Sequence, residues 1–350
     1  MSIEQEVSPV RENHRFDESS LERYLVERMP HFRGPLTVRQ FVGGQSNPTF
    51  MLETSRERYV MRKKPPGTLL QSAHQVEREY RIIKALANSA VPVPRVHLLC
   101  EDPDVIGTAF FVMECVEGRI MRDPLMPDSN PEERAACYDS LNDVLAQMHK
   151  VDYLAAGLGD YGRPQAYVAR QVARWSKQYE ASKFDEIPEM DKLIEWLEKH
   201  IPAGDETTIA HGDYRIENII FHPSEPRIVA VLDWELSTLG HPLGDLAWCC
   251  RPYHFPPGID GVLSFQGLDL KAVGIPSEDD FVAAYCKRVG RTDVSDMTFF
   301  DAFSFFRGAA IAQGIAMRAK MGNASGPDAA LRGARARLMA ELGWQAAQRA

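Results

Sequence analysis

IAHGDYRIENIIFHPSEPRIVAVLDWE, residues 209–235, sets short apolar runs against four polar punctuation points, His211, Asp213, Asn218 and Asp233. The spacing predicts a buried strand end, a polar loop, a short strand, a turn and a second strand. Asp213 and Asn218 stand five positions apart in one loop, so one can address a hydroxyl while the other addresses a metal. Asp233 follows the run IVAVL, where strand alternation presents a carboxylate at the strand's end. A candidate base, an amide oxygen and a second carboxylate are the groups phosphoryl transfer needs. In that chemistry a protein contributes positioning and Mg²⁺ binding more than covalent steps.

HGDYRIEN resembles the catalytic loop H-G-D-x-x-x-x-N of aminoglycoside phosphotransferase-like kinases, and LDWE resembles their magnesium-binding strand end. The pair is the counterpart of H-R-D-x-x-x-x-N and D-F-G in protein kinases. Turn-forming explains Asp213 and Asn218 singly, and strand capping explains Asp233. Neither explains two linked motifs in the right order. The resemblance implies an α+β, bilobal protein-kinase-like fold, with a small β-rich N-lobe and a larger, mainly helical C-lobe. It also implies ATP and Mg²⁺, with Asp213 as the base, Asn218 and Asp233 as metal ligands, and His211 as a brace of the loop.

Toward the N-terminus, residues 1–17 are polar and predict a flexible arm, and 18–29 an amphipathic helix with Leu21, Leu25 and Met29 on one face. Strands are expected at 36–41, 49–53 and 59–62. The turn after the first holds Gly43, Gly44, Ser46 and Asn47, whose backbone N–H groups can approach phosphate oxygens. GGQSN resembles the nucleotide-covering loop of the same kinases. Arg62 stands where those kinases carry a strand lysine. The helix from about residue 73 offers Glu79 as its partner, and an arginine gives a planar fork in place of a point charge. Strands follow at 96–100 and 108–116, broken by Glu117-Gly118. By resemblance this is the hinge, where backbone groups of Glu114, Cys115 and Val116 meet adenine.

From residue 130 the chain turns helical. Asn-Pro-Glu-Glu opens a helix over 131–150, and others are expected at 166–182, 190–200, 277–289, 298–321 and 326–350. Arg170, Arg174 and Lys177 share one helix side, a solvated face or a basic lip for an anionic acceptor. Arg251 is a further candidate for that lip. The resemblance implies that Asp245 hydrogen-bonds the catalytic loop's backbone, and helix N-capping is compatible with that role. Residues 253–274, rich in Pro and Gly, predict an irregular loop. The expected division is an arm, 1–17, an N-lobe, 18–117, and a C-lobe, 118–350.

A net charge of −9 argues against a general nucleic-acid binder. No apolar run is long enough to span a bilayer, and the first residues, rich in acids, do not form an apolar leader. Six cysteines without CxxC spacing suit thiols in a reducing cytosol. YVMRKKPPG, LGDYGRP, RQVARW, VLDWELSTLGHPLGDLAW and FRGAAIAQGIAMR are similar to the kinase branch found with acyl-CoA dehydrogenases of the family 10/11 type. That similarity implies an acceptor hydroxyl on a hydroxyacyl-CoA or hydroxy acid, and action alongside an acyl-CoA dehydrogenase. An aminoglycoside, choline or other amino alcohol is the rival acceptor, and a nucleotide-binding module without turnover the rival class.

Overall fold

The computed structural model describes residues 6–42, 47–65, 75–204, 206–321 and 329–349, with the side chains of 329, 330 and 332 outside that description. Two compact units emerge, Met1–Arg122 with Glu217–Ser237, and Asp123–Ile216 with Thr238–Ala350. The expected division placed all of 118–350 together. Here residues 217–237, with Asn218 and Asp233, group with the first unit.

The first unit is built on a six-stranded antiparallel sheet. Its strands are β1 (Val7–Ser8), β2 (Thr37–Phe41), β3 (Thr49–Glu53), β4 (Arg58–Lys63), β5 (Val96–Cys100) and β6 (Phe110–Glu114), ordered β1-β2-β3-β4-β6-β5. Val38 and Gln40 of β2 turn inward in strict alternation, as a half-buried strand must. Phe110 to Met113 of β6 are buried without a break, because this strand lies inside the sheet. Helix α1 (Glu18–Arg28) starts at Asp17, whose carboxylate accepts from the Ser20 N–H at 3.0 Å. It sends Leu21 and Leu25 into a cluster with Phe32, Phe50 and Phe110.

The arm expected over 1–17 is tied down from residue 6 onward. Val7 pairs with Phe41, Gln40 reaches the His14 ring at 2.7 Å, and Phe16 sets its edge to Phe50. Short polar sequence gives no periodicity by which such an edge pairing could be read. Helix α2 (Val76–Leu86) buries Val76, Glu79, Ile82, Ile83 and Leu86, leaving Tyr80 half-buried. A short helix, α3 (Pro103–Ile106), follows β5.

Strands β8 (Ile219–Phe221) and β9 (Ile228–Val231) form a hairpin, tied to the rest of this unit by its backbone. Arg119 exchanges hydrogen bonds with Phe221 at 2.8 and 2.9 Å, and the Val231 N–H reaches the Pro92 carbonyl at 2.9 Å. A Cβ at Gly118 would stand 2.2 Å from the Phe221 carbonyl oxygen, so this approach needs glycine.

The second unit is helical: α4 (Pro131–Lys150), α5 (Tyr167–Ser182), α6 (Pro188–Lys199), α7 (Pro242–Cys250), α8 (Leu270–Val273), α9 (Glu278–Val289), α10 (Met297–Lys320), α11 (Ala329–Ala334) and α12 (Ala336–Ala347). A two-stranded pair, β7 (Thr208–Ala210) with β10 (Thr238–Gly240), supports the loop after Ala210. Asn130 caps α4 by accepting from the Glu133 N–H at 2.8 Å, with Pro131 in the first turn. Helix α10 is apolar around its girth, the mark of a central helix, and packs on α5, α6, α7 and α12. The helix expected over 326–350 is two helices, α11 and α12, broken at Arg335. The loop expected over 253–274 contains the short α8 near its end.

Asp301 of α10 is a buried carboxyl, with Oδ1 unpartnered among the described residues, and burial lifts its pKa to about 7. The folded state therefore keeps a proton that the unfolded chain has lost by then, and stability falls as pH rises from about 4 to about 7. Asp301→Asn is expected to stabilise the protein at pH 8 by on the order of 2 kcal/mol and to change little at pH 4. Urea unfolding at the two pH values checks this, and a loss at pH 8 would refute it.

Candidate active site

The first unit encloses a cavity of about 460 Å³, within the range of small-ligand sites. Arg62, Glu79, Glu114, Val116, Asn218 and Asp233 all line it. Five separate segments supply these residues, and β4 and α2 bring Arg62 and Glu79 face to face in a hydrogen-bonded ion pair. Both are buried, at 7% and 1% exposure, so this is no surface pair. The Arg62 fork also reaches Asp233 Oδ1, from both Nη atoms, at 3.1 Å, and Glu235 Oε2 lies 3.9 Å away.

Burial opposes the Arg62 charge, but Glu79, Asp233 and Glu235 together hold its pKa above the usual value. Burial pushes the Glu79 carboxyl up to about 8, and Asp233 with Glu235 against one guanidinium still leaves a negative surplus made of hard oxygen donors. Such a set suits Mg²⁺. Asp233 itself sits at φ 65°, a left-handed conformation uncommon outside glycine and found at sites where strain serves a role. Glu235 was not among the residues expected from sequence, although it stands two positions past Asp233 in LDWE.

At the expected hinge, Glu114, Cys115 and Val116 all line the cavity. The Glu114 N–H donates to the Arg95 carbonyl at 2.8 Å, so that donor is engaged in the protein. Gly43, Gly44 and Ser46 lie outside the described residues. Asn47 is buried at 1% exposure, and its carbonyl accepts from Thr49 Oγ1 at 3.1 Å.

In the second unit, the loop after β7 presents His211, Gly212 and Asp213, with Gly212 at φ 81°. Asp245, in the first turn of α7, receives the His211 N–H on Oδ2 at 2.6 Å and the Gly212 N–H on Oδ1 at 2.8 Å. His149 Nε2 lies 3.4 Å from Oδ2, and its Nδ1 meets Tyr285 Oη at 2.7 Å. His211 is fully buried, and its Nδ1 accepts the Asp213 N–H at 3.2 Å. The N-cap position of α7 belongs to His241, whose Nδ1 accepts from the Leu243 N–H at 3.3 Å. Asp245 is thus not the cap, and its carboxylate serves the loop.

Trp248, one turn along α7, donates its indole N–H to Asp213 Oδ1 at 2.8 Å, and Arg215 Nε lies 3.4 Å from the same oxygen. Sequence reading passed over Trp248, because a tryptophan in LAWCC reads as core. Its only signal is the three-residue step from Asp245, which places both on one helix face. Of the basic lip, Arg251 lies 3.3 Å over the Trp248 ring centroid. Arg170 instead turns to the Arg163 carbonyl, and Arg174 lies 5.6 Å over Trp175. A separate trio, His254, Glu278 and Asp301, offers donor atoms within 4.8 Å of one another, with no residue in common with either set above.

A family model described as the phosphotransferase enzyme family matches residues 37–285. Acyl-CoA dehydrogenase family member 10 of Mus musculus is 44% identical over 96% of this chain but 32% of its own length. Acyl-CoA dehydrogenase family member 11 of Gallus gallus is 46% identical over 93% of this chain and 43% of its own length. The chain therefore spans about a third to under half of these curated relatives. A crystal structure from Ralstonia eutropha JMP134, provisionally described as an aminoglycoside phosphotransferase, is 50% identical with a TM-score of 0.87, over 96% of this chain and 99% of that one.

The chain belongs to the phosphotransferase enzyme family and has its α+β, kinase-like fold. It is a phosphotransferase of the small-molecule kinase type. Among the described residues, no helix is long and apolar enough to cross a membrane.

Proposed function

We propose that the donor is ATP with Mg²⁺ and that the acceptor is the hydroxyl of a hydroxyacyl-CoA or hydroxy acid. The first unit's cavity would take the nucleotide, with Cys115 and Val116 at the adenine edge and the Arg62 fork, braced by Glu79, on the phosphates. Asn218 and Asp233 would hold Mg²⁺, which neutralises charge on the phosphate oxygens when bound. In the second unit, Asp213 accepts the proton of the attacking hydroxyl. The new bond runs from the acceptor oxygen to the γ-phosphorus, the bond from that phosphorus to the bridging oxygen breaks, and ADP leaves. Trp248 and Arg215 hold the Asp213 carboxylate at Oδ1.

The observation that carries the acceptor class is the Arg251 cation stacked on Trp248, the ring that fixes the base. A cation there favours an acyl or acid acceptor and opposes an ammonium. The names of the longer curated relatives support an acyl-CoA setting, and action alongside an acyl-CoA dehydrogenase. The Ralstonia protein's description favours an aminoglycoside instead.

Mass spectrometry of a pool of hydroxyacyl-CoAs, hydroxy acids, amino alcohols and aminoglycosides, incubated with Mg-ATP, separates the two. The expected product is a phosphorylated acyl-CoA or acid. A phosphorylated amino alcohol or aminoglycoside would keep the chemistry and overturn the acceptor.

A further inference from the structure

Arg307 interrupts an apolar stretch of α10, FFRGAAIAQG, and has no charged neighbour in sequence. Its guanidinium lies 4.6 Å from the Trp248 ring centroid and 5.3 Å from that of Trp175. Its Nε is buried, and no described residue accepts a hydrogen bond from this side chain or forms an ion pair with it. Aromatic faces answer a cation's charge, but the in-plane N–H groups of a guanidinium still need acceptors. A buried donor left without one is costly, and costlier when charged. Arg134, buried in the same unit, shows the usual solution, with its Nη atoms on the carbonyls of Met126, Ser129 and Val273. Among the described residues, no carbonyl does this for Arg307.

Position gives the donors a purpose. Trp248 under Arg307 is the ring whose N–H holds Asp213 Oδ1 at 2.8 Å, so a single indole links the guanidinium to the candidate base. Arg307 also lines a cavity of about 20 Å³ with Gly212, Tyr167 and Trp248, room for roughly one water-sized group. Burial lowers the Arg307 pKa, with Tyr167, Asp213 and Asp245 pulling against that shift. An oxygen entering from a ligand would supply the missing acceptor.

We infer that Arg307 receives a carbonyl or carboxylate oxygen of the acceptor, a few bonds from the hydroxyl addressed by Asp213. This rests on the proposed role of Asp213. It makes Arg307 the residue that selects oxo-acid derivatives. An amino alcohol would bring an ammonium toward two guanidinium groups, Arg307 and Arg251, on one indole. The oxygen belongs either to a thioester or to a free acid, and both present the same acceptor geometry to a planar fork.

Calorimetry of the full chain without nucleotide tests this, with 3-hydroxybutyryl-CoA, 3-hydroxybutyrate and 1,3-butanediol as probes. The wild type is expected to bind one of the two carbonyl-bearing probes well above the diol. Arg307→Gln is expected to weaken that probe roughly 10- to 100-fold, the range of a charge-assisted hydrogen bond. Arg307→Lys, which keeps the charge and loses the fork, is expected to fall between, and it decides the matter if the glutamine variant does not fold. Loss confined to the thioester or to the acid identifies the source of the oxygen.

Equal binding by wild type and Arg307→Gln, or no preference over the diol, overturns the inference even if transfer persists. Arg307-dependent binding without transfer under Mg-ATP upholds it while refuting the chemistry assigned to Asp213.

Discussion

Asp213→Asn is expected to lower phosphoryl transfer by about 10²- to 10⁴-fold, the range for loss of a positioned general base. The substitution is nearly isosteric, and Asn can still accept the Trp248 N–H on its amide oxygen, so the loop should keep its place. What disappears is an oxygen basic enough to take the hydroxyl proton. The proposed nucleotide cavity belongs to the other unit, so nucleotide binding should be retained and the effect should fall on kcat with the nucleotide Kd unchanged. Single-turnover transfer and nucleotide titration on the same sample separate these quantities. Transfer within threefold of wild type would remove Asp213 from the base role and leave the acceptor hydroxyl to lose its proton to solvent or phosphate.

Replacing Asp245 by Ala should cost on the order of 3–5 kcal/mol of stability, since a buried and a half-buried backbone donor lose their acceptor and His149 loses a neighbour. Against a typical total of about 5–15 kcal/mol, that threatens the folded state itself. Asp245→Asn should fall between, because one amide oxygen can serve one of the two N–H groups. Urea unfolding of both variants measures this, and an Ala variant within about 0.5 kcal/mol of wild type would exclude the role.

The pH dependence has a definite sign. Burial pushes the Asp245 pKa up, but hydrogen bonding and charge from His149, with His211 and the Gly212 N–H, bring it below the ordinary 3.8. The stabilisation is therefore present above that value and lost as pH falls below it. The Ala variant should lack this part of the acid transition.

Much of this was legible because phosphoryl transfer fixes both residue types and spacing. Asp213, Asn218 and Asp233 stand out for that reason, and Arg62 with Glu79 follows once the strand and helix are placed. Trp248 and Arg307 were not legible. A tryptophan on an apolar helix and one arginine in a long helix have ordinary structural meanings, and only the three-dimensional approach to Asp213 gives them another. The engaged Glu114 amide depends on sheet register, which sequence does not state. Nor could the grouping of 217–237 with the first unit be read, since it rests on backbone contacts of Pro92 and Arg119 that carry no side-chain pattern.

That last grouping bears on the order of events during synthesis. The first unit is discontinuous, with residues 123–216 intervening before its β8–β9 hairpin is made. Arg62 and Glu79 emerge from the ribosome early, yet Asp233 and Glu235 follow only after α4, α5 and α6 have been translated. Domains generally fold as units from the N-terminus at about 5–20 residues per second, so this unit waits on the order of ten seconds for its β8–β9 hairpin. Until then Pro92 and Arg119 expose backbone groups awaiting partners, and the nascent chain presents a half-finished cavity to the cell's chaperones.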